Sequence, residues 1–217
     1  MTTRPFDSLL EALGRDRVVA IATESFFGLL ADAGRADAIE RLLSLKPRGA
    51  DKGMPLVLPA RTAWNALTRE IPPGAHALAD AFWPGGLSIA LSAAPSVDAR
   101  LLLDGRVAVR EPGVSPAAEL VRAYGRPLTA TSANQPGEPP ATEAEAVERS
   151  FPRAVEDGTL TVWRNPAPGG KPSTVVVMDG ERGDHAWIAR EAAVSRERVA
   201  EVLRGAGVLL DAMDSRR

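Results

Sequence analysis

An α/β domain with a largely covered sheet is the fold class this sequence predicts, and three observations predict it. Short β-branched runs alternate with amphipathic stretches, Pro and Gly punctuate the junctions, and neither a repeat nor a low-complexity block interrupts the pattern. At 217 residues and 45% hydrophobic content, the chain is long enough to bury one sizeable core. The alternation supports a single domain over residues 1–204, followed by a C-terminal tail over 205–217 that forms either a short helix or a frayed end.

Each element follows from its local pattern. Leu9, Leu10 and Leu13 fall at helical spacing before Gly14, and RVVAIA (17–22) then reads as a buried strand. RADAIERLLSLK (35–46) sets Ile39, Leu42, Leu43 and Leu45 largely on one stripe, and Pro47 stops that helix at Lys46. MPLVLP (54–59) is a short strand. GAHALADAFW (74–83) is a helix closed by Pro84-Gly85-Gly86, and LSIALS (87–92) alternates as a half-buried strand does. RVAVR (106–110) is a strand, followed by a helix capped by Ser115 with Pro116 in its first turn and Gly125 past its end. PLTATS (127–132) returns as a strand. Thr142 and Glu145 have capping-box spacing, STVVVMD (173–179) is a strand, and Ser195 caps a helix running to about Arg204.

Composition removes several function classes. The formal net charge of -2 argues against a protein that coats nucleic acid or an anionic membrane through its overall field. With no cysteine, thiolate catalysis, disulfides, iron-sulfur clusters and Cys-type zinc sites are excluded, and two histidines, His76 and His185, do not make a multi-His metal centre. Arg4, Asp7, Glu11, Arg15 and Asp16 interrupt any apolar leader, and no stretch approaches the roughly 20 apolar residues of a membrane span. A cytoplasmic protein without membrane association is the expectation.

Three stretches carry candidate chemistry, each with a bland alternative. TATSANQPG (129–137) ends a strand in polar side chains and free amides, where Ser132 and Asn134 could bind phosphate oxygens or a nucleotide; the alternative is a turn held by its own side-chain bonds. LKPRGADKG (45–53) puts Lys46, Arg48 and Lys52 on a short loop able to grip a polyphosphate. Solvated charge, with Lys46 attracted to its helix C-terminus, explains the same residues. ATESFFGLL (22–30) sets Thr23 and Glu24 beside Phe26, Phe27 and Gly28, either to hold the hydroxyl and amine of a small substrate or as a turn above two core phenylalanines. Arg110 in AVREP, Ser173 and Thr174 in KPST, and Arg190 in IAREAA stand at or near other strand ends.

Taken in order, TESFFGL (23–29), LKPR (45–48) with Lys52, WPG (83–85), AVR (108–110), TSAN (131–134), PST (172–174) and Arg190 resemble the YrdC-like threonylcarbamoyl-AMP synthases over roughly residues 15–195. The resemblance implies a twisted open sheet flanked by helices around a concave, basic cavity. It implies an enzyme, a nucleotidyltransferase, that joins L-threonine, bicarbonate or CO2, and ATP into threonylcarbamoyl-adenylate and pyrophosphate, for threonylcarbamoyladenosine formation in tRNA. Such chemistry needs positioning and charge neutralisation and no enzymic nucleophile. By the same resemblance Lys46, Arg48 and Lys52 meet the ATP phosphates, Ser132 and Asn134 the nucleotide, and Thr23 the threonine. Arg110, Ser173 and Arg190 complete the phosphate and carboxylate contacts. The resemblance also allows Mg2+ on the phosphates, and the sequence shows no all-protein carboxylate cage for it. tRNA or tRNA-modifying proteins are the implied partners.

The pattern departs from the family at Ala22 for Pro, Leu30 for Gly, Gly49 for Pro, Gln135-Pro136 for Leu-Ser and Ala192 for Gly. Leu30 adds volume and excludes positive φ, so a reshaped turn is expected there. A noncatalytic RNA-binding relative and an enzyme for a different carbamate stay open. PGGKPST (168–174) lacks the earlier Gly of a P-loop and has Pro172 where Ser or Thr is required, and Ser88 in GLSIA sits inside a strand rather than at a nucleophile elbow. His76 on an apparent helix, His185 in a polar loop and the charges around Arg196 read as surface residues.

Overall fold

The structure is a computed structural model that describes residues 6–47, 53–179 and 183–211. Helix α1 (Asp7–Gly14) ends at Arg15, and Asp16 adopts a φ of 60°, which reverses the chain into strand β1 (Val18–Ala22). The continuous apolar run has a physical reason, because every residue of β1 is buried. Val18, Ala20 and Ala22 face one core cluster, while Val19 and Ile21 face a second.

Strand β2 (Phe27–Leu30) returns antiparallel to β1, with Ile21 opposite Gly28 and Val19 opposite Leu30. Leu30 is therefore an ordinary strand residue, fully buried in the second cluster, and no turn is reshaped around it.

The chain continues through α2 (Ala36–Leu45), β3 (Leu56–Val57), a 3-10 turn at Arg61–Ala66, α3 (Pro73–Phe82), β4 (Leu87–Ser92) and β5 (Arg106–Arg110). Helix α4 (Pro116–Tyr124) has the expected ends. The Ser115 hydroxyl accepts from the Ala118 N–H at 3.2 Å, and Gly125 takes a left-handed φ of 76°. Then come β6 (Leu128–Thr129), β7 (Thr131–Ser132), α5 (Ala144–Ser150), α6 (Pro152–Glu156), β8 (Leu160–Val162), β9 (Thr174–Asp179), β10 (His185–Arg190), α7 (Arg196–Gly205) and β11 (Leu209–Leu210).

Two mixed sheets result. One has the order β7-β2-β1-β8, and the other β11-β10-β9-β4-β5-β3-β6. The segment read as one strand, PLTATS, divides between them. Leu128 and Thr129 pair with β3, whereas Thr131 and Ser132 pair with Leu29 and Gly28 of β2. Ala130 lies at the crossing and donates its N–H to Pro55 O at 2.8 Å. One chain segment thus stitches the sheets together, and residues of both sheets line one hollow.

Three local expectations are corrected. Thr142 and Glu145 form no capping box: α5 starts at Ala144 after Glu143, without a side-chain cap bond, and Thr142 O instead accepts from Ala167 N–H at 2.8 Å. His185 opens β10 rather than lying in a loop, with Nδ1 3.3 Å from Asp211 Oδ2. Within the stretch read as a tail, Leu209 and Leu210 pair in parallel with His185 and Ala186. No helix among the described residues is long and apolar enough to cross a membrane.

A buried acid anchors the base of α4. Asp32, 1% exposed, accepts the Tyr124 hydroxyl at 2.7 Å and the Gly34 N–H at 2.8 Å, and pairs with Arg126 at 3.3 Å. Burial first, and the Asp32 carboxylate second, push the Tyr124 phenol from 10.0 up to about 12. A folded-state value above the unfolded one means a stabilisation present below pH 10 and lost as pH rises toward 12. The urea midpoint of the native chain is therefore expected to fall more steeply between those two pH values than that of Tyr124→Phe. Parallel pH profiles would show that the phenol titrates alike in both states.

Candidate active site

A cavity of about 530 Å3 opens where the two sheets meet. Thr23, Arg110, Ser132, Ser173 and Arg190, drawn from five separate sequence segments, all line it. Lys46 and Asn134 stand behind Ser132, while Arg48 and Lys52 lie outside the described residues.

Lys46 follows α2 at its C-cap, but its ammonium does not turn back to that helix. Nζ donates to Ser132 O at 2.6 Å, to Ser132 Oγ at 3.0 Å and to Asn134 Oδ1 at 3.0 Å. The dipole explanation is thus insufficient. Asn134 in turn donates Nδ2–H to Glu138 O and is 8% exposed. The Ser-Ala-Asn turn is both self-bonded and a ligand for the lysine, so the two readings of this stretch are not exclusive.

The Arg110 side of the cavity is charged and tightly held. Its guanidinium forms an ion pair with Glu24 and donates to Gly85 O at 3.3 Å; the two side chains are 11% and 25% exposed. Glu24 Oε1 also accepts from Gly113 N–H at 3.4 Å, whereas the buried Oε2 has no hydrogen-bond partner among the described residues. Neighbouring Thr23 spends its hydroxyl on its own turn. It donates to Phe26 O at 2.7 Å and accepts from Ser25 N–H at 3.2 Å and Phe26 N–H at 3.3 Å.

Across the hollow, Arg190 donates through Nε to Ser173 O at 3.0 Å and through Nη2 to Ser173 Oγ at 3.2 Å. A register shift between Ile188 and Arg190 marks a bulge that re-aims the end of β10. Ser173 Oγ lies 3.1 Å from Ser88 Oγ, which is 1% exposed at the cavity wall. Thr174 is not in the cavity. Fully buried, it donates to Val194 O at 2.6 Å and accepts from Ala192 N–H at 2.9 Å and Val194 N–H at 3.0 Å, pinning the turn after Arg190.

Among the lining residues that sequence reasoning did not assign to the site are Ser25, Ser88 and Lys171. Strand alternation places Ser88 and Ile89 on opposite faces, but nothing local says that one face of β4 borders a cavity. Lys171 was set aside with the incomplete P-loop. Among the described residues no group of three or more His, Asp or Glu could hold a metal ion.

The model of the Sua5/YciO/YrdC family, described as "Telomere recombination", matches residues 11–192. The chain belongs to this family. A relative from Thiobacillus denitrificans, named threonylcarbamoyl-AMP synthase, is 36% identical over 159 residues, covering 71% of this chain and 84% of its own. P. abyssi Sua5, solved in complex with L-threonine, superposes with a TM-score of 0.81 at 26% identity over 97% of this chain. The chain spans 61% of that longer protein. E. coli YciO superposes with a TM-score of 0.74 at 20% identity, covering 88% of this chain and 92% of its own, and shares the fold.

Proposed function

We propose that this member of the family is an L-threonylcarbamoyladenylate synthase. The amine of L-threonine and bicarbonate condense to a carbamate with loss of water. A carbamate oxygen then attacks the α-phosphorus of ATP, forming a P–O bond as the bond to pyrophosphate breaks. The observation that carries this reading is the convergence of Thr23, Arg110, Ser132, Ser173 and Arg190 on one cavity of about 530 Å3, a volume in the range that holds a nucleotide-sized ligand. The fold shared with a threonine-bound relative supports it.

The residues suit a reaction without an enzymic nucleophile, because cations and small donors line the hollow and catalysis rests on alignment and charge neutralisation. In this reading Lys46, with Arg48 and Lys52 outside the described residues, neutralises the phosphates. Ser132 and Asn134 hold the nucleotide, and Thr23, at the lip shaped by its own turn, meets the threonine. Arg110, Ser173 and Arg190 take the remaining phosphate and carboxylate oxygens. Glu24 keeps Arg110 in place and leaves one carboxylate oxygen unmatched for a cationic group such as an ammonium. Mg2+ supplied with ATP would add further charge neutralisation at the phosphates. The product is a reactive mixed anhydride suited to acyl transfer onto the tRNA adenosine.

Pyrophosphate release from ATP is expected only when L-threonine and bicarbonate are both supplied. Equal rates with serine, or with no amino acid, would overturn the substrate assignment. Salt-sensitive RNA binding without ATP turnover would replace the enzyme reading altogether.

A further inference from the structure

Residues 168–171, Pro-Gly-Gly-Lys, differ from the rest of the cavity rim. The chain is fixed just before them, where Ala167 N–H donates to Thr142 O at 2.8 Å, and just after them, where Pro172 O accepts from Ala193 N–H at 3.1 Å. Between those anchors, none of the four residues makes a hydrogen bond, ion pair or ring contact with the described residues. Gly169 and Gly170 have φ values of 76° and 132°, regions that an L side chain rarely enters. Crowding does not explain either glycine: a Cβ at Gly170 would meet nothing within 4 Å, and one at Gly169 only Thr142 Cγ2 at 3.9 Å. The glycines therefore serve backbone freedom rather than close packing, on a short strap tied at both ends.

Gly170 and Lys171 both line the cavity. The other two lining cations are already engaged, Arg110 with Glu24 and Arg190 with Ser173. Lys171 is exposed and has no partner among the described residues. A long side chain with a compact charge and three rotatable donors, carried on glycines, suits a ligand whose negative charge is concentrated and shifts during reaction. An ATP triphosphate is such a ligand. A single amino-acid carboxylate gives a second mobile cation much less to gain.

We propose that Lys171 is a further catalytic residue: the glycine strap 168–171 brings its ammonium onto the ATP phosphates, where it stabilises the charge that accumulates on departing pyrophosphate. The proposal rests on the synthase reading above for its second half, and on phosphate binding alone for its first.

Pyrophosphate release by the full chain, with ATP and L-threonine varied separately, tests it in Lys171→Ala, Lys171→Arg and Gly170→Ala, alongside calorimetry of ATP binding at low and high salt. Lys171→Ala is expected to lose about tenfold or more in kcat/KM for ATP, while KM for L-threonine stays within roughly twofold. Arg at 171 should restore most of the loss. Gly170→Ala should fall in the same direction, with the melting temperature lowered by only a few degrees, about 2–4 °C per kcal/mol of local strain. An unchanged kcat/KM for ATP in Lys171→Ala, or a loss that appears in the L-threonine KM instead, overturns the proposal. Should the native chain release no pyrophosphate, the synthase reading fails and calorimetry decides separately for Lys171. Weaker, less salt-dependent ATP binding in Lys171→Ala supports the phosphate contact, and equal affinity removes it.

Discussion

Lys46→Ala is expected to lower kcat/KM for pyrophosphate release by roughly two to three orders of magnitude, about 3–4 kcal/mol of transition-state stabilisation. The lysine does two things at once. It supplies positive charge beside the cavity, and its three bonds to Ser132 and Asn134 fix the turn assigned to the nucleotide. Lys46→Arg keeps the charge, but a planar fork does not reproduce the geometry of three converging donors, so an intermediate activity is expected. Folding stability should change by only about 1 kcal/mol, because the bonds involving the ammonium lie at an exposed or partly buried surface. Steady-state kinetics and a urea melt on the same preparation separate the two effects. Near-native turnover in Lys46→Ala would take this residue out of the catalytic machinery.

Thr174→Val is expected to be the most destabilising conservative change near the site, at about 3–4 kcal/mol. Valine matches threonine in shape, so packing is kept and only the hydroxyl is lost. That hydroxyl is fully buried and serves Val194 O, Ala192 N–H and Val194 N–H. All three backbone groups would lose it inside a water-poor turn. For a domain of this size the change corresponds to a fall in Tm of roughly 6–15 °C. Thr174→Ser should retain most of the stability. A drop below about 1 kcal/mol for the valine variant would mean that the turn opens to water and satisfies its amides there. Because this turn follows Arg190 and donates Ala193 N–H to Pro172 O, its loosening should also raise KM for ATP.

The fold was readable where one local rule dominates. Six consecutive residues of mostly β-branched and small type announce β1, and Ser115 with Pro116 and Gly125 brackets α4 as the structure has it. It was not readable where local signals are weak or shared. Phe27–Leu30 reads as part of a turn because it holds Gly28 and follows the polar Thr23-Glu24-Ser25, yet pairing with both Thr131–Ser132 and β1 makes it a strand. PLTATS is continuous in sequence, and only its different partners divide it. Thr142 has the spacing of a cap, but its carbonyl is needed by Ala167 and the helix begins later.

The site follows the same division. Residue types already supply hydroxyls, amides and cations and exclude thiol chemistry and a multi-histidine centre, because those properties belong to side chains one at a time. Which of them meet is a property of pairing. Lys46 reaches Ser132 across 86 positions, Glu24 reaches Arg110 across 86, and Ser88 reaches Ser173 across 85. No local pattern encodes separations of that size. They are set when strands from distant segments complete one another's backbone hydrogen bonds, and the shape of the cavity between the two sheets is the consequence.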